Sequence, residues 1–148
     1  MEQQAKLTGW NYEIVGTDIS LDILAKASKG AYSQFEVQRG MPITLLVKYF
    51  DQVGESWQIK PTVQSKVRYK HFNLLEDPTS LGKFDVVFCR NVLIYFDQKT
   101  KGEVLGRIAK LMPPDGMLFL GGAETVLGVS NSFKPVPEQR GVYGLTGS

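Results

Sequence analysis

The pattern of apolar and polar residues along the chain predicts strands that alternate with helices. Short apolar runs rich in β-branched and aromatic residues predict strands at residues 12–17, 67–72, 84–89 and 117–120. Helical spacing and end signals predict helices at residues 21–29, 43–50 and 98–111, and the end of a frayed helix at residues 2–9. Strands that alternate with helices indicate an α/β fold with a largely parallel sheet.

Residues 84–97, with the sequence FDVVFCRNVLIYFD, are the stretch around which the chain is organised. The apolar run at residues 86–89 is typical of a strand that is buried on both faces of a parallel sheet. It ends on Arg90 and Asn91. Because ligands bind at the carboxyl ends of the strands in open α/β sheets, these two residues lie where a site is expected. Asp97 is placed to cap the next helix.

The first predicted helix is bounded by residues that typically begin and end helices, and a hairpin is predicted near the end of the sequence. Ser20 is suited to cap the helix at residues 21–29, and Gly30 is suited to end it. The apolar face of this helix is expected to comprise Leu21, Leu24, Ala25 and Ser28. Residues 133–136 and 142–145 predict a hairpin that closes the fold.

Residues 53–69 differ from the rest of the chain. Apolar and polar residues alternate loosely there around Gly54 and Pro61, which predicts a small antiparallel ribbon inserted into the main fold. The predicted domain organisation is therefore one α/β domain over residues 1–148 with an inserted β-subdomain at residues 53–69.

Three predicted strands end on polar residues: Asp18, Asn73, and the pair formed by Arg90 and Asn91. Each has a simpler explanation, since Asp18 and Asn73 are common turn residues and Arg90 can pair with Asp85 or Glu124. Together they would face one crevice. In nucleotide-binding α/β folds, an acid at the end of the second strand, the place assigned to Asp18, typically binds the ribose hydroxyls of an adenosine-bearing cofactor. It does not distinguish a nicotinamide cofactor from S-adenosylmethionine.

Composition excludes several classes of protein. A net charge of +2 over 148 residues gives no indication of nucleic-acid binding. No apolar run is long enough for a membrane span and residues 1–6 lack the apolar core of a signal peptide, so we expect a cytoplasmic protein. The single cysteine, Cys89, lies in an apolar strand and is interpreted as a buried thiol. His71 has no neighbouring ligand residue, so no metal site is predicted. Four cations among aromatic residues form either a solvated strand face or a binding surface: Lys60, Lys66, Arg68 and Lys70.

Residues 84–97 resemble the signature of the chemotaxis receptor methyltransferases, the CheR family of bacterial signal transduction. Residues 16–20 (GTDIS), 72–75 (FNLL) and 114–121 (PDGMLFLG) agree with that family in the same order, and residues 32–42 are similar to a subset of it. The resemblance covers nearly the whole chain. It implies a Rossmann-like fold and S-adenosylmethionine as cofactor, with methylation of glutamate side chains on the cytoplasmic domain of chemoreceptors to give γ-methyl esters.

The resemblance also implies roles for individual residues. Asp18 would hold the ribose hydroxyls, and Asn73 and Leu74 would border the adenine. Arg90 and Asn91 would flank the methionine part and the sulfonium, with Arg90 also orienting the substrate, and Tyr95 would stand near the transferred methyl group. The alternative for Tyr95 is a core side chain between Val92 and Phe96. The ribbon at residues 53–69 would correspond to the β-subdomain of the family.

The sequence differs from the family in its N-terminal part. The family's N-terminal helical domain, first strand and glycine-rich loop have no counterpart here, so the sequence predicts an incomplete catalytic domain that is inactive by itself. The strands that end at Asp18 and Cys89 would then either pair directly or take a strand from a second copy in an exchanged homodimer. Two other hypotheses stay open: a non-catalytic module that binds a partner or the cofactor, and a nicotinamide dehydrogenase that rests on Asp18 alone.

Overall fold

The computed structural model describes residues 8–147. The chain divides into two compact units, Met1–Asn73 and Leu74–Ser148. Most of the helix predicted at residues 2–9 lies outside the described residues, and Thr8 and Gly9 form a turn.

The first unit contains a parallel strand pair, an antiparallel sheet and four short helices. In chain order its elements are β1 (Ile14–Asp18), α1 (Leu21–Lys29), β2 (Ala31–Ser33), α2 (Gln34–Gln38), α3 (Ile43–Tyr49), β3 (Phe50–Val53), β4 (Ser56–Ile59), α4 (Pro61–Gln64) and β5 (Val67–His71). Strands β1 and β5 run parallel, with Ile14 opposite Val67 and Asp18 opposite His71. Their carboxyl ends therefore lie at the same edge, as the alternating pattern predicted.

Helix α1 has the predicted ends but not the predicted face. The Ser20 hydroxyl accepts from the Ile23 N–H at 3.3 Å, and Gly30 ends the helix in the left-handed conformation with φ 65°. Leu24 is half-buried, whereas Leu21 is 68% exposed and Ala25 and Ser28 are also exposed. The helix contacts β1 and β5, and a two-stranded sheet is too narrow to cover the whole predicted face.

An antiparallel sheet with the strand order β2-β4-β3 forms the rest of the first unit. Strands β3 and β4 make a hairpin around Gly54, whose φ is 62°. This sheet differs from the ribbon predicted at residues 53–69, because the hairpin begins at Phe50 and β2 adds a third strand. After β4, Pro61 occupies the first turn of α4, and β5 belongs to the parallel pair. That this region is an inserted subdomain stays a prediction.

The second unit is a four-stranded sheet with one long helix. Its elements are a 3₁₀ turn (Pro78–Leu81), β6 (Val86–Cys89), a second 3₁₀ turn (Leu93–Tyr95), α5 (Gln98–Ala109), β7 (Met117–Leu120), β8 (Phe133–Pro135) and β9 (Val142–Leu145). The strand order is β6-β7-β9-β8, with β6 and β7 parallel. The predicted closing hairpin is confirmed as β8 and β9, and the Asp97 carboxylate caps α5 by accepting from the Thr100 N–H at 2.8 Å.

Only one face of β6 is buried, which contradicts the prediction that both faces are covered. The core of this unit lies between the sheet and α5, and its fully buried side chains include Leu105 of α5 and Leu118 of β7. On the other face Val86 is 46% exposed and Phe88 is 70% exposed, and the Phe88 ring stacks on Phe119 at 4.8 Å. An unbroken apolar run therefore did not mean burial on both sides here, since the unit provides a single long helix against this sheet.

Strands β1 and β6 each lie at an edge of their own sheet. Within residues 8–147, β1 pairs with β5 and β6 pairs with β7, each in its own unit, and the expected direct pairing of β1 with β6 stays a prediction. A strand edge exposes unpaired N–H and C=O groups that can pair with another chain.

We expect the 148-residue chain to associate through these edges, as in the exchanged homodimer predicted from sequence. Sedimentation velocity at increasing protein concentration should show a mass that rises above that of one chain. Phe88→Lys places a charge on the exposed face of β6 and should reduce association without unfolding the protein, because charged edges oppose strand addition. A single monomeric species for the native chain over the whole concentration range would contradict the prediction.

Candidate functional site

Asp18 lies at the carboxyl end of β1, where it stabilises the turn into α1. Its Oδ1 atom accepts from the Ser20 N–H at 2.8 Å, and its backbone carbonyl accepts from the Phe72 N–H at 3.0 Å. The side chain is half-buried. Within the described part of the chain, its Oδ2 atom has no hydrogen-bond partner. One carboxylate oxygen therefore accounts for the role of Asp18 as a turn residue. The contact of the other oxygen with a ribose hydroxyl stays a prediction.

Asn73 and Leu74 follow β5. Asn73 is half-buried two residues beyond the end of β5, at the same edge of the parallel pair as Asp18. Leu74 packs on the core of the second unit, and its carbonyl accepts from Arg107 Nη1 at 3.4 Å. The position of Asn73 and Leu74 beside the adenine stays a prediction.

The loop that follows β6 carries the remaining predicted residues. Arg90 and Asn91 are exposed directly after the strand, and Asn91 adopts the left-handed conformation with φ 60°. Leu93 is buried and anchors the 3₁₀ turn, whereas Tyr95 is 81% exposed. The alternative of Tyr95 as a core side chain is therefore wrong. Within residues 8–147, Arg90 forms no ion pair with Asp85 or Glu124.

Glu124 holds this loop in place. It follows β7 and is only 9% exposed. Its Oε1 atom accepts from the N–H groups of Asn91 at 2.6 Å and Gly121 at 2.8 Å. Its Oε2 atom accepts from those of Val92 at 3.2 Å and Leu93 at 2.8 Å. One carboxylate thus binds four backbone donors at the carboxyl ends of two parallel strands.

The sequence suggests Glu124 as a partner of Arg90, a residue lining the crevice or a turn cap, and it does not predict that Glu124 holds the loop after β6. A signal was present, because an acidic residue shortly after a buried strand and a Gly-Gly break must find donors if it is buried. Gly121 is part of the same arrangement. A Cβ at this position would overlap Asn91 Oδ1 and lie 2.7 Å from Glu124 Oε1, so the loop can approach β7 only beside a glycine.

The electrostatics of the site follow from burial and these hydrogen bonds. Desolvation raises the pKa of Glu124, but the four backbone N–H groups together outweigh it, so the pKa lies below its usual value. Glu124 is therefore ionised at neutral pH. Burial, with a smaller contribution from the Glu124 charge, raises the pKa of Cys89 to about 11. The interpretation of Cys89 as a buried thiol is confirmed.

His71 and two of the clustered cations, which were weaker candidates for a binding site, contact other residues of the protein. His71 Nε2 lies 2.9 Å from the Ile19 carbonyl, and no group of three metal-ligand side chains occurs among residues 8–147. Of the four clustered cations, Arg68 pairs with Glu13 and Lys60 lies 3.9 Å from Asp51. None of the helices in the described part of the chain is long and apolar enough to cross a bilayer.

Comparison with known proteins decides the family. The sequence model for the CheR methyltransferase SAM-binding domain matches residues 1–142. The chain belongs to the CheR methyltransferase family. As a family member it uses S-adenosylmethionine as its cofactor, and the nicotinamide hypothesis is therefore dropped. Its mixed α/β structure is consistent with a methyltransferase domain of this kind.

Curated relatives agree with the CheR assignment. The chain is 41% identical over 131 residues to chemotaxis protein methyltransferase Cher2 of Pseudomonas putida, which covers 88% of this chain and 48% of that protein. It is 40% identical over 131 residues to chemotaxis protein methyltransferase 1 of Pseudomonas aeruginosa, with the same coverage. It is 35% identical over 134 residues to the probable biofilm formation methyltransferase WspC of that organism, covering 89% of this chain and 32% of the relative. The chain therefore spans about half the length of the chemotaxis relatives that it matches.

Proposed function

We propose that this chain is the cofactor-binding part of an enzyme that methylates glutamate side chains on the cytoplasmic domain of chemoreceptors, forming γ-methyl esters. The observation that carries the proposal is the loop after β6. It holds a guanidinium, an amide and an exposed phenol within six residues, Arg90 to Tyr95, at the carboxyl end of a parallel strand. The proposed setting is cytoplasmic, and the proposed partner is the chemoreceptor.

The residues present fit S-adenosylmethionine in chemical character. The Asp18 carboxylate is an acceptor suited to the ribose hydroxyls, and its Oδ1 atom already has one donor. Arg90 and Asn91 offer donors that suit the carboxylate of the methionine part. Asn73 and Leu74 provide an amide and an apolar side chain for the adenine.

The proposed reaction asks for alignment rather than acid–base catalysis. When bound, S-adenosylmethionine supplies a methyl group on a positively charged sulfonium. A substrate glutamate is already ionised at neutral pH, so no general base is needed. Arg90 and Tyr95 would donate hydrogen bonds that orient the carboxylate for an in-line transfer. This explains why the candidate loop contains no paired acid and base.

Methyl transfer tests the proposal directly. A full-length protein that contains this chain should move labelled methyl groups from S-adenosylmethionine to the purified cytoplasmic domain of a chemoreceptor. The label should be released as methanol by mild alkali, because carboxyl methyl esters hydrolyse readily. A receptor whose acceptor glutamates are replaced by alanine should remain unlabelled. Cofactor binding without any transfer would instead support the non-catalytic module. The same assay on the 148-residue chain tests the expectation that it is inactive by itself.

Asp18→Ala tests the ribose contact. The change removes two charge-assisted hydrogen bonds and should cost about 2–4 kcal/mol in affinity for S-adenosylhomocysteine, measured by calorimetry on the full-length protein. Asp18→Asn keeps an acceptor for the Ser20 N–H and so separates the turn from ligand binding. It should also bind weakly, although its melting temperature stays close to that of the native protein. Unchanged affinity in both variants would contradict the ribose contact and leave Asp18 with its role in the turn alone.

Tyr95→Phe tests the orienting role of the phenol. Because the side chain is exposed, loss of its hydroxyl should leave the fold and cofactor affinity intact. The kcat for receptor methylation should fall roughly tenfold or more, as expected when alignment in a transfer reaction is lost. Tyr69→Phe in β5 removes the same group elsewhere and serves as the control. A lower melting temperature with normal turnover would contradict the proposed role.

A further inference from the structure

We propose that Glu124 is a positioning residue for the loop that carries Arg90 and Tyr95. Its carboxylate sets the backbone between these two side chains and thereby their placement in the methyl-transfer site. The inference rests on the proposed function for the roles of Arg90 and Tyr95. The geometry of the Glu124 contacts stands independently of it.

Three successive N–H groups of the loop point at one anion. Asn91 is left-handed with φ 60°, and Val92 is right-handed with φ −117° and ψ −41°. A left-handed residue followed by a right-handed one turns consecutive N–H groups toward the same point and forms a concavity that binds anions. Here the Glu124 carboxylate fills it and also reaches the N–H of Leu93. Without the anion, three donors in a partly buried loop would lose their acceptor.

Glu124 is itself fixed to the neighbouring strand end. Its N–H donates to the Gly121 carbonyl at 3.0 Å, and its Oε1 atom accepts from the Gly121 N–H at 2.8 Å. Gly121 directly follows β7, which pairs with β6 in parallel. The carboxylate therefore ties the loop after one strand to the end of the adjacent strand, and the loop cannot shift without breaking these contacts.

The two candidate catalytic side chains flank the held segment. Arg90 immediately precedes Asn91, and Tyr95 lies two residues beyond Leu93 in a turn closed by its own N–H donating to the Val92 carbonyl at 3.2 Å. Both side chains are exposed, and within the described residues neither has a polar partner that would orient it. Their positions therefore depend on the backbone that Glu124 holds. A misplacement of about 1 Å in such a site can reduce the rate about 100-fold.

Glu124→Gln in the full-length protein tests the inference. The substitution preserves shape but replaces one acceptor oxygen by an NH₂ group that faces backbone donors. We expect amide hydrogen exchange to accelerate at residues 91–93, and the kcat for receptor methylation to fall about 10- to 100-fold. The affinity for S-adenosylhomocysteine should weaken by a smaller factor, because the residues proposed for its adenosine part, Asp18, Asn73 and Leu74, are not part of this loop.

Two further variants complete the experiment. Glu103→Gln makes the same chemical change on the exposed side of α5, where Glu103 has only a 3.8 Å pair with Arg107, and it should alter none of these measurements. Glu124→Asp keeps the charge but is one methylene too short to reach all four donors. It should accelerate amide exchange at residues 91–93 and lower the kcat, each by a smaller factor than Glu124→Gln. If Glu124→Gln does not fold, Glu124→Asp provides the test.

The outcomes distinguish this inference from the proposed function. Unchanged exchange at residues 91–93 in a folded Glu124 variant would overturn the inference, as would accelerated exchange with normal kcat, since Glu124 would then be structural only. If the native protein binds S-adenosylhomocysteine but methylates no receptor, the proposed function fails. Exchange and ligand affinity in the variants would still show whether Glu124 positions the loop for the cofactor.

Discussion

The second unit depends on one buried carboxylate that binds four backbone N–H groups. Burying an ionised glutamate is costly unless hydrogen bonds replace its water shell. Asn91, Val92, Leu93 and Gly121 supply that replacement, and the pKa of Glu124 is lowered despite burial. In return the carboxylate satisfies donors at the ends of β6 and β7 that regular structure leaves without acceptors. Charge and backbone stabilise each other, so neither can be changed independently.

This arrangement suits the proposed methyl transfer, which needs precise placement of groups and no proton transfer. An exposed arginine and an exposed tyrosine on a mobile loop would lose orientation between turnovers. The fold instead places them on a short segment anchored by Leu93 in the core and by Glu124 at the adjacent strand end. Rigid support beneath the two exposed side chains is what alignment in the proposed reaction requires.

The sequence predicted the elements of the fold better than their environments. Helix α1 was predicted from its ends, because Ser20 and Gly30 act through local hydrogen bonds that the sequence encodes directly. The exposed face of β6 was not predicted, because the exposure of Phe88 depends on which elements cover the sheet rather than on its own neighbours in sequence. The same limit applied at the site. Arg90 and Asn91 were predicted as site residues from their position after a strand and Tyr95 from the family resemblance, whereas the role of Glu124 depends on contacts with residues about thirty positions earlier in the chain.

Glu124 also determines which groups of the loop remain for a ligand. A concavity of consecutive N–H groups would ordinarily be an anion site for substrate or cofactor. Here an internal carboxylate occupies it, so the backbone of residues 91–93 has no free donors to offer. In the proposed site, recognition at this strand end would then come from the side chains of Arg90, Asn91 and Tyr95. The three backbone donors are bound to Glu124 and hold the loop rigid, so contacts with a ligand would have to come from side chains. This is a physical reason for polar side chains at these positions.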